Sequence, residues 1–159
     1  MAKIKGGLLF HVEGSAQEEK GRSVILLFCG FIRTRGGEIS GRGKNRQVRF
    51  PLKGQLISTI TKKRMQTLNV RGDLTIMNDN GIVVRMWMPC GKEKNYHFFG
   101  ANNPEEKTAK RRSIFSSNFS ARSKEDSLRG DAKLKIRLMS YEGENNSPEV
   151  GRLAGLLAL

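Results

Sequence analysis

The chain has 159 residues, enough for one domain that buries its own core without disulfide or metal staples. Apolar residues make up 37%, below the roughly 45–50% of ordinary globular chains, while 29 Lys and Arg face 15 Asp and Glu, a net charge of +14. Two cysteines and two histidines, none at ligand spacing, exclude a zinc-finger framework, and no apolar run is long enough for a signal sequence or a membrane-crossing helix; an intracellular chain, cytoplasmic or nuclear, is expected.

Apolar–polar alternation recurs along the chain and predicts strands. Leu8 to Val12 is the first. Arg22 to Thr34 contains the run SVILLFCGFI, a buried strand with a candidate bulge at Gly30. Cys29 in this run and Cys90 in MWMPCG read as reduced thiols in the core. Gly36 to Asn45 (GGEISGRGKN) reads as a mobile loop. Two shorter strands follow, Gln47 to Pro51 and Gly54 to Ile60. Thr67 to Asn78 alternates with a break at Gly72. Asn78-Asp79-Asn80-Gly81 then carries the strongest short hairpin signal, leading to a return strand from Ile82 to Met88. Asn95 to Phe99 is a further strand.

Asn103-Pro104-Glu105-Glu106 has the cap, first-turn proline and third-position acid of a helix start, predicting an inserted helix near 104–116. Arg122 to Asp131 reads as a loop. Ala132 to Tyr141 is the cleanest strand, with Leu134, Ile136 and Leu138 on one face and Lys133, Lys135 and Arg137 on the other. Ser147-Pro148-Glu149 opens a second helix, whose Val150, Leu153, Ala154 and Leu157 form one apolar stripe. The expected architecture is mainly β, a β-sandwich or barrel-like α+β arrangement. Residues 1–146 would form a basic β-rich domain, and 147–159 a C-terminal amphipathic helix packed on that domain or on a partner subunit. In the second case Val150, Leu153, Ala154 and Leu157 would carry a homo-oligomer contact.

The charge needs a partner, because self-repulsion of this size disfavours a compact chain. Nucleic acid is the usual polyanion for such a footprint. Four clusters are candidate phosphate contacts. Arg33, Arg35, Arg42, Lys44, Arg46 and Arg49 are interleaved with Gly36, Gly37, Gly41 and Gly43, which let backbone N–H groups approach a phosphate. Lys62, Lys63 and Arg64 mark a turn. Lys107, Lys110, Arg111 and Arg112 lie on the expected helix, with Lys107 and Arg111 repelling at i, i+4. Lys133, Lys135 and Arg137 line one strand face, about 7 Å apart. Each cluster has a plainer reading as a solvated loop or face.

Aromatic residues are sparse. In Tyr96-His97-Phe98-Phe99, the pairs Tyr96 and Phe98 or His97 and Phe99 face opposite ways, so one pair can stack on unpaired bases while the other is core; Tyr96 and Phe98 are the candidates for stacking. No catalytic constellation is present in the sequence. Gly41-Arg42-Gly43-Lys44-Asn45 departs from a P-loop, with Glu38 in place of its first glycine and Asn45 in place of Ser or Thr. The sequence therefore predicts a non-enzymatic protein without cofactor or metal. It would bind nucleic acid with little sequence preference, RNA or single-stranded DNA before duplex, through phosphates. The alternatives are a self-assembling viral matrix- or capsid-like structural protein on nucleoprotein or an anionic membrane, and a viral movement or silencing factor.

Overall fold

The computed structural model describes residues 2–18, 24–58, 66–90, 94–102, 114–122, 127–142, 153 and 155–157. Eight strands account for nearly all of them: β1 (Ala2–Glu18), β2 (Val24–Ser40), β3 (Gln47–Ser58), β4 (Gln66–Met77), β5 (Ile82–Cys90), β6 (Lys94–Ala101), β7 (Ile114–Arg122) and β8 (Ser127–Glu142). Each pairs antiparallel with the next, and β8 returns to pair with β1, so the sheet closes as a barrel in chain order. Of the two packings expected from the sequence, the barrel is the one formed. Among the described residues every strand has a paired neighbour on both sides over at least part of its length, which limits the usual route to edge-to-edge aggregation.

The period-2 pattern explains the barrel directly. Inward positions are mostly apolar, with Thr34 of β2 and Ser58 of β3 as buried polar exceptions: Leu8, Phe10 and Val12 on β1, Leu74 and Ile76 on β4, Val84, Met86 and Met88 on β5, Leu134, Ile136 and Leu138 on β8. The rings of Phe10, Phe50, Phe98 and Phe115 are fully buried, and Phe28 meets Phe98 edge to face at 5.0 Å. Side chains therefore fill the interior. Outward positions carry the charge, opposite in sense to a barrel whose outer wall faces lipid. No helix among the described residues is long and apolar enough to cross a membrane.

Strands of 17 residues cannot stay regular around a closed sheet. The β1–β2 ladder shifts register between Lys5 and Leu8, and the β2–β3 ladder between Arg33 and Glu38. Four residues of β2 there oppose three of β3, a bulge that bends the wall. Pro51 of β3 falls inside this gap, where its missing N–H costs no ladder bond. That is why Gln47–Ser58 runs as one strand through the proline that splits it in sequence. Gly72 likewise interrupts nothing. A Cβ at Gly72 would collide with the Arg85 carbonyl, so the glycine allows β4 and β5 to approach. The Asn78–Gly81 turn forms as expected: Met77 N–H donates to the Gly81 carbonyl at 2.8 Å, Gly81 N–H donates to Asp79 Oδ1 at 2.9 Å, and Asn80 adopts φ 70°.

Several expectations are corrected. The segment from Gly36 is not a loop, because Gly36–Ile39 pair with Ala2–Lys5 and only Gly41–Arg46 leave the sheet, through a 3-10 turn at Gly43–Asn45. The register of β2–β3 shifts well after Gly30 rather than at it. Ser127–Asp131 belong to β8 rather than to a loop. The inserted helix does not reach 116, since Ile114, Phe115 and Ser116 open β7 and Phe115 is buried opposite Leu134; residues 103–113 lie outside the described set. Cys29 is exposed, on the outward phase next to inward Phe28, and the Cys90 side chain is outside the described residues.

At the C-terminus the described residues make a single helical turn, with Leu157 N–H donating to the Leu153 carbonyl at 2.9 Å. Leu153, Leu156 and Leu157 join the core cluster, and Leu138 N–H donates to the Leu157 carbonyl at 3.1 Å. Leu153 and Leu157 are thus buried against their own chain. Val150 and Ala154 are outside the described residues.

Candidate nucleic-acid interface

The ladder registers place side chains in rows across the outer wall. One row contains Leu9, Arg33, Lys53, Arg71, Trp87 and His97, each the direct partner of the next on β1 to β6. Arg33, Lys53, Arg71 and Trp87 are all exposed. Neighbouring strands lie about 4.8 Å apart, so the three cations span about 10 Å and Trp87 adds one more step. Among the described residues no carboxylate forms an ion pair with Arg33, Lys53 or Arg71; Asp73, on β4 beside Arg71, pairs with Arg49 at 3.4 Å instead. Like charges directly opposite on a sheet repel, so this row is uncompensated within the described chain.

The row ends on aromatic surface. Trp87 is 48% exposed and its ring centre lies 5.1 Å from that of His97, tilted 31°. In the adjacent row Arg85 opposes Phe99 and sits over its ring at 5.2 Å from the centroid, with Phe99 41% exposed. Toward β1, His11 meets Phe31 edge to face at 5.1 Å, and His11 opposes Arg137 of β8.

The predicted β8 face lies on the strand paired with β1. Lys133, Lys135 and Arg137 alternate with buried Leu134 and Ile136, and oppose Ser15, Glu13 and His11. A shallow groove of about 450 Å³ crosses β8, β1 and β2 there, lined by Glu13, Ser15, Leu27, Cys29, Lys133 and Lys135.

Of the sequence-predicted cations, Arg33 lies in the cross-strand row. Arg35 and Arg49 are exposed on β2 and β3, and Arg42, Lys44 and Arg46 are exposed around the 3-10 turn. Lys62, Lys63, Arg64, Lys107, Lys110, Arg111 and Arg112 lie outside the described residues. The stacking assignment is corrected: Phe98 is fully buried in the barrel, while its neighbours His97 and Phe99 take the outward phase. The Tyr96 side chain is outside the described residues. Lys53, Arg71, Arg85 and Trp87 were not signalled as cluster members, because no other cation adjoins Arg71 or Arg85 in sequence and register alone assembles them with Phe99. Their alternation with buried residues on the same strands is the signal that could have found them.

Among the described residues no three His, Cys, Asp or Glu side chains converge as metal ligands. Compared with protein families, with curated proteins and with solved structures, the chain matches none.

Proposed function

We propose that this protein binds nucleic acid through the outer wall of its barrel, chiefly by phosphate contacts and with little dependence on sequence. The carrying observation is the row Arg33–Lys53–Arg71, three exposed cations on directly paired positions with no carboxylate among the described residues ion-paired to them. A strand of phosphates laid across β2, β3 and β4 relieves that repulsion and releases its own counterions. The exposed Arg42, Lys44 and Arg46 on the β2–β3 connection, and Lys133, Lys135 and Arg137 on β8, extend the positive field around the barrel. RNA or single-stranded DNA is the preferred form. The role requires no cofactor and no catalytic step.

The test is the anisotropy of a labelled single-stranded RNA titrated with the full chain over a salt series. Affinity should fall linearly on log–log axes, with a slope implying several neutralised phosphates. No binding at low salt would sink the reading.

A second reading, a self-assembling structural protein on nucleoprotein or an anionic membrane, is favoured by one separate observation. Leu27 (44%), Phe31 (56%) and Ile57 (46%) are exposed around Cys29 on β2 and β3, an apolar patch of the kind that marks contact surfaces. Co-sedimentation with phosphatidylserine vesicles, and a mass in solution that rises with concentration, would support it. A monomer that ignores vesicles would remove it. A movement or silencing role would use the same nucleic-acid surface and makes no separate prediction for this fold.

A further inference from the structure

We propose that Trp87 and Phe99 form a stacking platform for unpaired bases, so that the bound polyanion is a single strand crossing the barrel wall from β2 toward β6. This inference rests on the nucleic-acid reading and specifies its substrate.

Trp87 and Phe99 are large rings left 48% and 41% exposed on the outer wall, on strands other than the β2 and β3 that carry the exposed Leu27, Phe31 and Ile57. They lie on adjacent strands in diagonal register, because Trp87 opposes His97 and Arg85 opposes Phe99. Diagonal positions are about 7–8 Å apart, too far for one base to cover both rings and suited to two successive bases of an unstacked strand. Each ring is held by its cross-strand partner. The His97 ring lies against Trp87, and the Arg85 guanidinium covers one face of the Phe99 ring in a cation–π contact, leaving the opposite face to a base.

The platform is also continuous with the phosphate-binding row. Arg71 is the direct partner of Trp87, so a chain whose phosphates lie on Arg33, Lys53 and Arg71 delivers its next bases onto the rings. A bare polyanion gains nothing from the rings, and a duplex keeps its bases stacked on one another. An apolar protein segment could also cover two rings, but Arg71 and Arg85 beside them favour an anionic occupant carrying flat apolar groups. A single-stranded nucleic acid has both features. Stacking tolerates any base, in keeping with weak sequence preference.

Trp87 is the only tryptophan in the chain, so emission excited selectively at indole, where the two tyrosines do not absorb, reports on this site alone. The full chain is titrated with oligoadenylate of about twelve nucleotides, within the footprint of known single-strand sites, with the matching duplex, and with inorganic polyphosphate. Oligoadenylate should quench the emission at saturation, and polyphosphate should bind without the same quenching. Trp87→Ala and Phe99→Ala should each weaken oligoadenylate binding by about 5- to 150-fold, the range for losing one stacked base, and should leave polyphosphate binding within a factor of about two. Trp87→Phe, which keeps a ring, should retain most of the affinity and guards against a fold defect. Equal loss for oligoadenylate and polyphosphate in Trp87→Ala, or emission unmoved by saturating single strand, would overturn the platform while the phosphate reading stood. Failure of all three probes to bind would overturn the nucleic-acid reading itself.

Discussion

Arg71 and Trp87 are direct cross-strand partners on the outer wall, joining the cation row of β2–β4 to the aromatic surface of β5–β6. Neither residue lies in a sequence cluster of cations or aromatic rings, yet their pairing sets the expected pattern of mutational effects. Neutralising Arg33, Lys53 or Arg71 singly to Gln should lower affinity for any single strand about uniformly. Each change should also reduce the salt slope by about one phosphate contact. Arg49→Gln, which removes a cation already paired with Asp73, should change the slope less. Anisotropy at several salt concentrations measures both. A loss confined to one base sequence would contradict phosphate contact.

Gly72 fixes the spacing of the two strands that carry Arg71 and Trp87. A Cβ there would strike the Arg85 carbonyl and lie 3.0 Å from the Met86 Cα, both backbone and unable to swing aside. Gly72→Ala should therefore destabilise the barrel by about 1–3 kcal/mol, the usual cost of overpacking, lowering Tm by about 2–4 °C per kcal/mol for a chain of this size. Gly54→Ala is the matched control. Its Cβ would meet Ile32 at 3.6 Å, ordinary contact, so the change should be neutral or stabilise by about 0.4–1 kcal/mol through the unfolded chain. Thermal unfolding of the two variants side by side distinguishes close approach from a general intolerance of strand alanines.

Asn102 ties the end of β6 to the start of β5. It is 7% exposed, its Oδ1 accepts the Ile82 N–H at 2.6 Å, and its own N–H donates to the Ile82 carbonyl at 3.1 Å. Asn102→Ala deletes the first of these and leaves a buried donor without that acceptor, at a cost of about 1–3 kcal/mol. Faster hydrogen exchange at the Ile82 amide, together with a lower urea midpoint, is the expected result. Unchanged exchange there would mean that water or another group replaces the side chain.

The strands were legible where one face is apolar and the other charged. In β8, Leu134, Ile136 and Leu138 against Lys133, Lys135 and Arg137 leave one assignment open. Legibility failed where both phases are apolar. In β5, Ile82, Val83 and Val84 and then Met86, Trp87 and Met88 conceal which residues point out, although Arg85 fixes the phase. The same ambiguity put Cys29 in the core and chose Phe98 over Phe99 as a stacking ring. Helix-start chemistry around Asn103-Pro104 is local and says nothing of where the helix must stop. The barrel interior claims Phe115, so strand pairing takes over by Ile114. The cation row was the least legible feature, since Arg33, Lys53 and Arg71 are 20 and 18 residues apart in sequence and become neighbours only through two ladder registers.

Cys29 offers a way to separate the two basic faces of the barrel. Its thiol is exposed and lines the groove shared with Lys133 and Lys135, four residues along β2 from Arg33, or about 14 Å. A neutral maleimide should therefore label Cys29 in the native protein without denaturant, as read by the mass of its peptide, and Cys29→Ser should abolish that adduct. If the strand lies on Arg33, Lys53 and Arg71, the adduct fills the groove without obstructing them, and affinity for single-stranded RNA should stay within a factor of about two. A loss of tenfold or more, absent in unlabelled Cys29→Ser, would move the interface to the β8–β1–β2 side, where Lys133, Lys135 and Arg137 would become the principal phosphate contacts.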